Sequence, residues 1–286
     1  MHRDSIDDLR KLFVGLDKKV NINGKGRIVP INFDNAATTP PFKRVVKRVL
    51  ETTEYYGSIA RGDGQKSQYC SDLYEECRRY ILKYFNAPEE IYTAIFVGNT
   101  TDGLNKLSNI LINNKEDIVI TTRMEHHSND LPWRNKCDLK YVEVNEDGRI
   151  NINEIKELIE RYKEKVKYIT ITGASNVTGY INDIRKISGL IHKYGGKIIV
   201  DGAQLVPHKK ICIYKKDSLE NIDFLVFSGH KIYAPFGSGA IIGLREDFNN
   251  NLPDTKGGGT VEYVIDNNQL WLNTPEKNEA GTPNLF

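Results

Sequence analysis

The chain has 286 residues, with 40 lysines and arginines against 38 acids and a formal net charge of +2. With no basic block, this composition argues against a nucleic-acid partner, and no apolar run approaches the roughly 20 residues of a membrane helix. The opening MHRDSIDDLRKLF lacks an apolar stretch and Cys70, Cys77, Cys137 and Cys212 show no CxxC spacing, so a cytoplasmic protein with reduced thiols is expected.

The first thirty residues read as a helix and an irregular arm. Beyond them, short apolar runs alternate with longer mixed segments. TAIFVG (93–98) leads into NTTDGLNKLSNILI, whose apolar residues at 104, 107, 110 and 111 keep helical spacing. DIVITT (117–122) is followed by MEHHSNDLPWR. LKYVEV (139–144) is followed by NINEIKELIERYKEKV, an amphipathic helix pattern with Asn151 or Asn153 as its cap. KYITITG (167–173), the helix IRKISGLIHKYG, KIIVDGA (197–203), DFLVFSG (223–229) and GAIIGL (239–244) complete the set. Strands alternating with helices predict a largely parallel sheet covered on both faces. The short connection into GAIIGL predicts an antiparallel strand there.

In open parallel sheets, ligands sit beyond the carboxyl ends of the strands. The residues just after each run are therefore the candidates. They are Thr100 and Thr101, then Glu125-His126-His127, then Ser175-Asn176, then Asp201, Ala203 and Gln204, then Ser228, His230 and Lys231. One edge thus collects a helix start with two hydroxyls, an imidazole, a carboxylate, an amide and an amine. Pyridoxal 5'-phosphate needs that set. Lys231 can supply the amine, and Asp201 the carboxylate beside the pyridine nitrogen. Thr100 and Thr101 open a helix whose free N–H groups suit a phosphate, with Ser228 and His230 adding donors. His126 can stack on the ring and Gln204 can donate to its phenolate oxygen.

Plainer readings stand beside these. Lys231 alone is a surface lysine, Asp201 alone a helix cap, and Thr100 and Thr101 can cap the helix they open without excluding phosphate. Adjacent residues such as His126 and His127 rarely ligate one metal ion, and no third ligand has suitable spacing, so no metal is expected. Gly257-Gly258-Gly259 and GSG (237–239) lack a full GxGxxG, which argues against a dinucleotide.

Seven stretches in order carry a resemblance: FDNAATTPP (33–41), GNTTDGLN (98–105), MEHHSNDLPW (124–133), SNVTG (175–179), VDGAQLVPH (200–208), FSGHKIYAPFGSGA (227–240) and EAGTPN (279–284). Each alone is weak, but together they resemble a class V, fold-type I pyridoxal-phosphate enzyme of the cysteine desulfurase and selenocysteine lyase group. The resemblance implies an α/β fold-type I large domain, mostly parallel with helices on both faces and with the C-terminal small domain missing. Residues 1–30 would form an N-terminal helix and arm, 31–265 the cofactor-binding domain and 266–286 the start of a truncated C-terminal region.

It also implies Lys231 as Schiff-base lysine, Asp201 on the ring nitrogen, Gln204 on the phenolate oxygen and His126 stacked on the ring. Thr100, Thr101, Ser228 and His230 would hold the phosphate, and Asn176 would lie near the substrate carboxylate. The implied activity is that of a transferase acting on a small amino acid, L-cysteine giving L-alanine and enzyme-bound sulfur. A sulfur-acceptor protein and a homodimer, with its sites near the subunit interface, belong to the same expectation. The alternatives are a class V aminotransferase, a selenocysteine lyase, or a chain that binds the cofactor without turnover. Two departures are visible. The nucleophilic cysteine and the substrate-gripping arginine of the group's C-terminal region have no counterpart in the matched stretches. Ala60 stands where the group often has histidine, although Arg61-Gly62 match.

Overall fold

The computed structural model describes residues 8–59 and 62–286. Ala60 and Arg61, part of the second departure, lie outside the described residues. In chain order come a hairpin of β1 (Val20–Ile22) and β2 (Gly26–Ile28), then the helices α1 (Lys43–Thr53) and α2 (Gln65–Tyr84). The hairpin stands where an irregular arm is expected from sequence. The alternating part follows: β3 (Tyr92–Val97), α3 (Thr100–Leu111), β4 (Ile118–Thr122), the short α4 (His127–Asp130), β5 (Asp138–Val142) and α5 (Ile152–Tyr162). It continues through β6 (Val166–Thr172), α6 (Ile184–His192), β7 (Lys197–Asp201), β8 (Phe224–Ser228), β9 (Gly239–Leu244) and α7 (Arg245–Asn250). A second hairpin, β10 (Val261–Ile265) with β11 (Asn268–Trp271), precedes the final segment.

Seven strands form one sheet in the order β3-β9-β8-β7-β6-β4-β5. Only β9 runs against its neighbours, as its short link from β8 requires. The predicted α/β architecture is therefore the observed one. Central strands are buried on both faces, which explains why they read as unbroken apolar runs. Ile198, Val200, Leu225 and Phe227 enter the core on one side, while Ile199, Phe224 and Val226 enter the core on the other. The second core also takes Leu104, Leu107, Ile110 and Leu111 of α3. Gly103 makes that contact close: a Cβ there would lie 2.5 Å from Val226 Cγ1 and 3.1 Å from Ile241 Cγ1. Asn151 caps α5 by accepting the Glu154 N–H at 3.3 Å, which decides between the two predicted caps.

The outer edge of β3 is closed by side chains. Arg78 of α2 donates to the Ala94 carbonyl, and Glu279 accepts the Phe96 N–H at 2.7 Å. The two side chains meet through a pair of hydrogen bonds of 2.9 and 3.0 Å, and both are nearly buried. Burial lowers the Arg78 pKa, but its bonds to Glu279 and Glu75 outweigh that and raise it. An ion pair thus occupies the place of a neighbouring strand and blunts the edge against pairing with another chain. No helix among the described residues is long and apolar enough to cross a membrane.

Candidate functional site

The carboxyl ends of β3, β4, β6, β7 and β8 lie on one edge, so the topology brings the sequence candidates together. Asp201, the last residue of β7, is 3% exposed. Its Oδ1 accepts the Ala203 N–H at 2.9 Å, and no donor among the described residues meets Oδ2. Burial raises its pKa, while the Ala203 bond and the nearby charges of Lys231 and His126 lower it. Asp201 is therefore neither a helix cap nor remote from the amine. A buried carboxylate with one open oxygen, within electrostatic reach of a lysine and an imidazole, fits a protonated ring nitrogen.

Asn99 caps α3, accepting the Asp102 N–H at 2.9 Å, and this frees both threonines from the capping role. Thr100 donates its N–H to Ser228 Oγ at 2.8 Å, and the two hydroxyls lie 2.7 Å apart. Strand end and helix start are thereby locked together where an anion would meet the positive end of the helix. Thr101 Oγ1 reaches Ser128 Oγ at 2.7 Å, and Ser128 in turn contacts His126 Nδ1 through its hydroxyl at 2.9 Å and its N–H at 3.1 Å. His127 is exposed at the head of α4.

The turn Gly229–Lys231 follows β8 directly. Burial and the neighbouring Lys231 charge lower the His230 pKa. Backbone strain flanks this turn: Tyr233 and Phe236 adopt φ of 66° and 76°, the left-handed region that disfavours large side chains. The strain is held in place by the arm at residues 33–41, which the sequence marks as a motif without assigning it work. Thr39 sends both its N–H (3.0 Å) and its hydroxyl (2.9 Å) to the His230 carbonyl, and it accepts the Tyr233 N–H at 2.9 Å. Thr38 Oγ1 lies 3.1 Å from His230 Nδ1. Gln204 donates to the Ala36 carbonyl at 2.7 Å, so its amide nitrogen ties the arm to the end of β7. Asn176 sits exposed on the turn after β6.

Thr38, Thr39, Ser128 and Glu125 are the site neighbours that sequence reasoning leaves without a role. A cavity of about 610 Å³ lies beside the β3 edge, lined by Cys77, Phe96, Asn278 and Glu279 among others. It does not include Asp201, His126 or Lys231. We favour the strand edge over that cavity because only the edge gathers an amine, a buried acid and an anion-suited helix start. One expected result follows from the Thr100–Ser228 lock. Ser228→Ala leaves the buried Thr100 N–H without its partner and should weaken inorganic phosphate binding severalfold, read by calorimetry, with little change in fold. Unaltered phosphate affinity would show that the lock does not serve the anion.

Comparison with known proteins adds three findings. A family model described as aminotransferase class-V matches residues 31–286. A Borreliella burgdorferi protein described as a probable cysteine desulfurase is 37% identical over 99% of this chain and 67% of its own length. A cysteine desulfurase of Wigglesworthia glossinidia brevipalpis is 33% identical over 98% of this chain and 68% of its own. Among solved structures, the apo cysteine desulfurase from Thermococcus onnurineus NA1 superposes with a TM-score of 0.79 at 32% identity. That match covers 88% of this chain and 63% of the other. The chain thus spans about two thirds of the proteins it matches.

Proposed function

This chain belongs to the aminotransferase class-V family and is cysteine desulfurase-like, and from that premise we propose that its strand edge binds pyridoxal 5'-phosphate and a small amino acid, L-cysteine in the first instance. The observation that carries the reading is the buried, half-satisfied carboxylate of Asp201 within electrostatic reach of Lys231. When bound, the cofactor supplies an aldehyde for an amine and a ring that withdraws electrons from the substrate Cα. Lys231 would provide the amine and would hold and return a proton at the substrate Cα as general base and acid. Asp201 keeps a proton on the ring nitrogen through a charge-assisted hydrogen bond. Thr100, Thr101, Ser228 and His230 hold the phosphate, His126 covers the ring face, Gln204 meets the phenolate oxygen and Asn176 the substrate carboxylate.

A second reading has its own observation. Cys70 and Cys77 lie on α2, Cys137 precedes β5, and Cys212 lies in the connection before β8. Burial pushes the Cys137 thiol up to about 11 and also raises Cys77, so neither is a ready thiolate. A reaction that needs no protein thiol, of the selenocysteine lyase type, suits these four cysteines better than sulfur capture by one of them. A second copy of the chain is part of the proposal as well. Ile31 and Phe33 of the arm are 80% and 94% exposed, and a partner that covered them would bury apolar surface beside the site.

The test is a titration of purified protein with pyridoxal phosphate, followed by L-cysteine and L-selenocysteine in turn. The proposal expects a near-visible absorbance band on cofactor binding that changes with either amino acid. The thiol-free reading expects alanine release to be faster from selenocysteine. No band at saturating cofactor would refute the binding site, and faster alanine release from cysteine would refute the thiol-free reading.

A further inference from the structure

Beside the proposed ring-nitrogen acid stands a second acid that the reaction above does not use. Glu125 follows β4 and is half-buried as a residue, but its carboxyl group is enclosed. Oε1 accepts the Thr122 hydroxyl at 2.7 Å, Oε2 accepts the Asn129 amide at 2.5 Å, and the Thr172 backbone adds a further bond. Asn129 is itself fully buried, its Oδ1 taken by the Thr170 hydroxyl at 2.5 Å and the Trp133 indole at 3.4 Å. The carboxyl is thus pinned to the end of β6. Thr172 pairs directly with Asp201 across β6 and β7, and the Gly173 N–H bonds the Asp201 carbonyl at 2.8 Å. The two acids thus stand on either side of the end of β6, within electrostatic reach of each other.

We propose that Glu125 is a positioning residue that acts through Asp201, its charge setting how firmly Asp201 holds a protonated partner. The proposal rests on the reading of Asp201 as the ring-nitrogen acid. Asp201 is the charged group that acts on Glu125, while Asp201 in turn lies within electrostatic reach of Lys231 and His126. Two buried carboxyls within electrostatic reach bias each other's protonation. When Glu125 is protonated, Asp201 meets its donor alone. When Glu125 ionises, its negative charge raises the proton affinity of the pair and strengthens the grip on a cationic N–H.

The direction of the pH effect follows from the environment. Burial, aided by the Asp201 charge and opposed by three hydrogen bonds, pushes Glu125 up to about 8, against about 4.3 in an unfolded chain. Between those values the folded protein keeps a proton that the unfolded chain has lost. Stability from this group is fully present below about pH 4.3 and is lost as pH rises through about 8.

Denaturant unfolding of the protein without added cofactor, from pH 4 to 9, tests the pair by itself. Wild type should lose stability relative to Glu125→Gln across that window, and Asp201→Asn should move the window to lower pH. Parallel curves for wild type and Glu125→Gln, or a window unmoved by Asp201→Asn, overturn the proposal. If Glu125→Gln does not fold, wild type against Asp201→Asn reads the same displacement. A pyridoxal phosphate titration at pH 6 and pH 9 then tests the consequence. The gain in affinity with pH should be about tenfold larger in wild type than in Glu125→Gln, the equivalent of one pKa unit. Equal gains would overturn the link to the cofactor. Absence of binding by wild type at both pH values would instead refute the functional reading, with the unfolding curves still deciding the pair.

Discussion

Lys231→Ala is expected to lower hydrogen–deuterium exchange at the Cα of a bound amino acid by about 10²–10⁴-fold, the usual contribution of a positioned general base. The residue ends the turn Gly229–Lys231, and its amine makes no hydrogen bond or ion pair with the described residues. Its removal therefore costs little in contacts. The turn is kept by backbone bonds instead: the His230 carbonyl is held by Thr39, and the Gly229 N–H bonds the Ser238 carbonyl at 2.6 Å. The amine that would bond the cofactor aldehyde is lost, so cofactor retention should fall as well. Thermal unfolding and circular dichroism should match wild type while exchange collapses. Undiminished exchange in the variant would remove Lys231 from the chemistry.

Glu279→Ala should be the most destabilising single change outside the apolar cores, at roughly 3–5 kcal/mol, because it leaves a buried guanidinium without its main partner. The Arg78 and Glu279 side chains are only 6% and 8% exposed. Glu279 also receives the Phe96 N–H and the Tyr74 hydroxyl, the latter at 3.1 Å, so one truncation orphans these two donors and takes the buried anion from Arg78. Glu279→Gln keeps an acceptor for Phe96 and should cost clearly less. Equilibrium denaturation of both variants reads the difference. A loss below about 1 kcal/mol for Glu279→Ala would mean that the β3 edge is stabilised by other contacts.

The parallel strands were legible because burial on both faces makes them continuous apolar runs, as at Ile198–Val200 and Phe224–Phe227. Helix α2 was not. Its 20 residues bury a narrow stripe at Ser67, Cys70, Tyr74, Arg78 and Leu82, and the arginine in that stripe disguises the period. Hairpin β10/β11 was hidden for the opposite reason. Val264 and Ile265 are 65% and 59% exposed, so its apolar residues do not follow the usual inside–outside alternation.

The site divides in the same way. Residues that the proposed chemistry requires at strand ends, such as Asp201 and Lys231, announce themselves by position after an apolar run. The supports do not, since Gln204 meets Ala36 across 168 residues and Thr39 meets His230 across 191. Glu125 stands next to His126 in the chain, but its effect on Asp201 depends on β6 and β7 being neighbours, which no local pattern states.

The central claim is that this edge holds pyridoxal phosphate through Lys231. Protein saturated with the cofactor, treated with borohydride, digested and mapped by mass spectrometry tests it most directly. The account predicts one dominant phosphopyridoxyl mass addition, on the peptide containing Lys231. A dominant addition on any other lysine, with Lys231 unmodified, would contradict it.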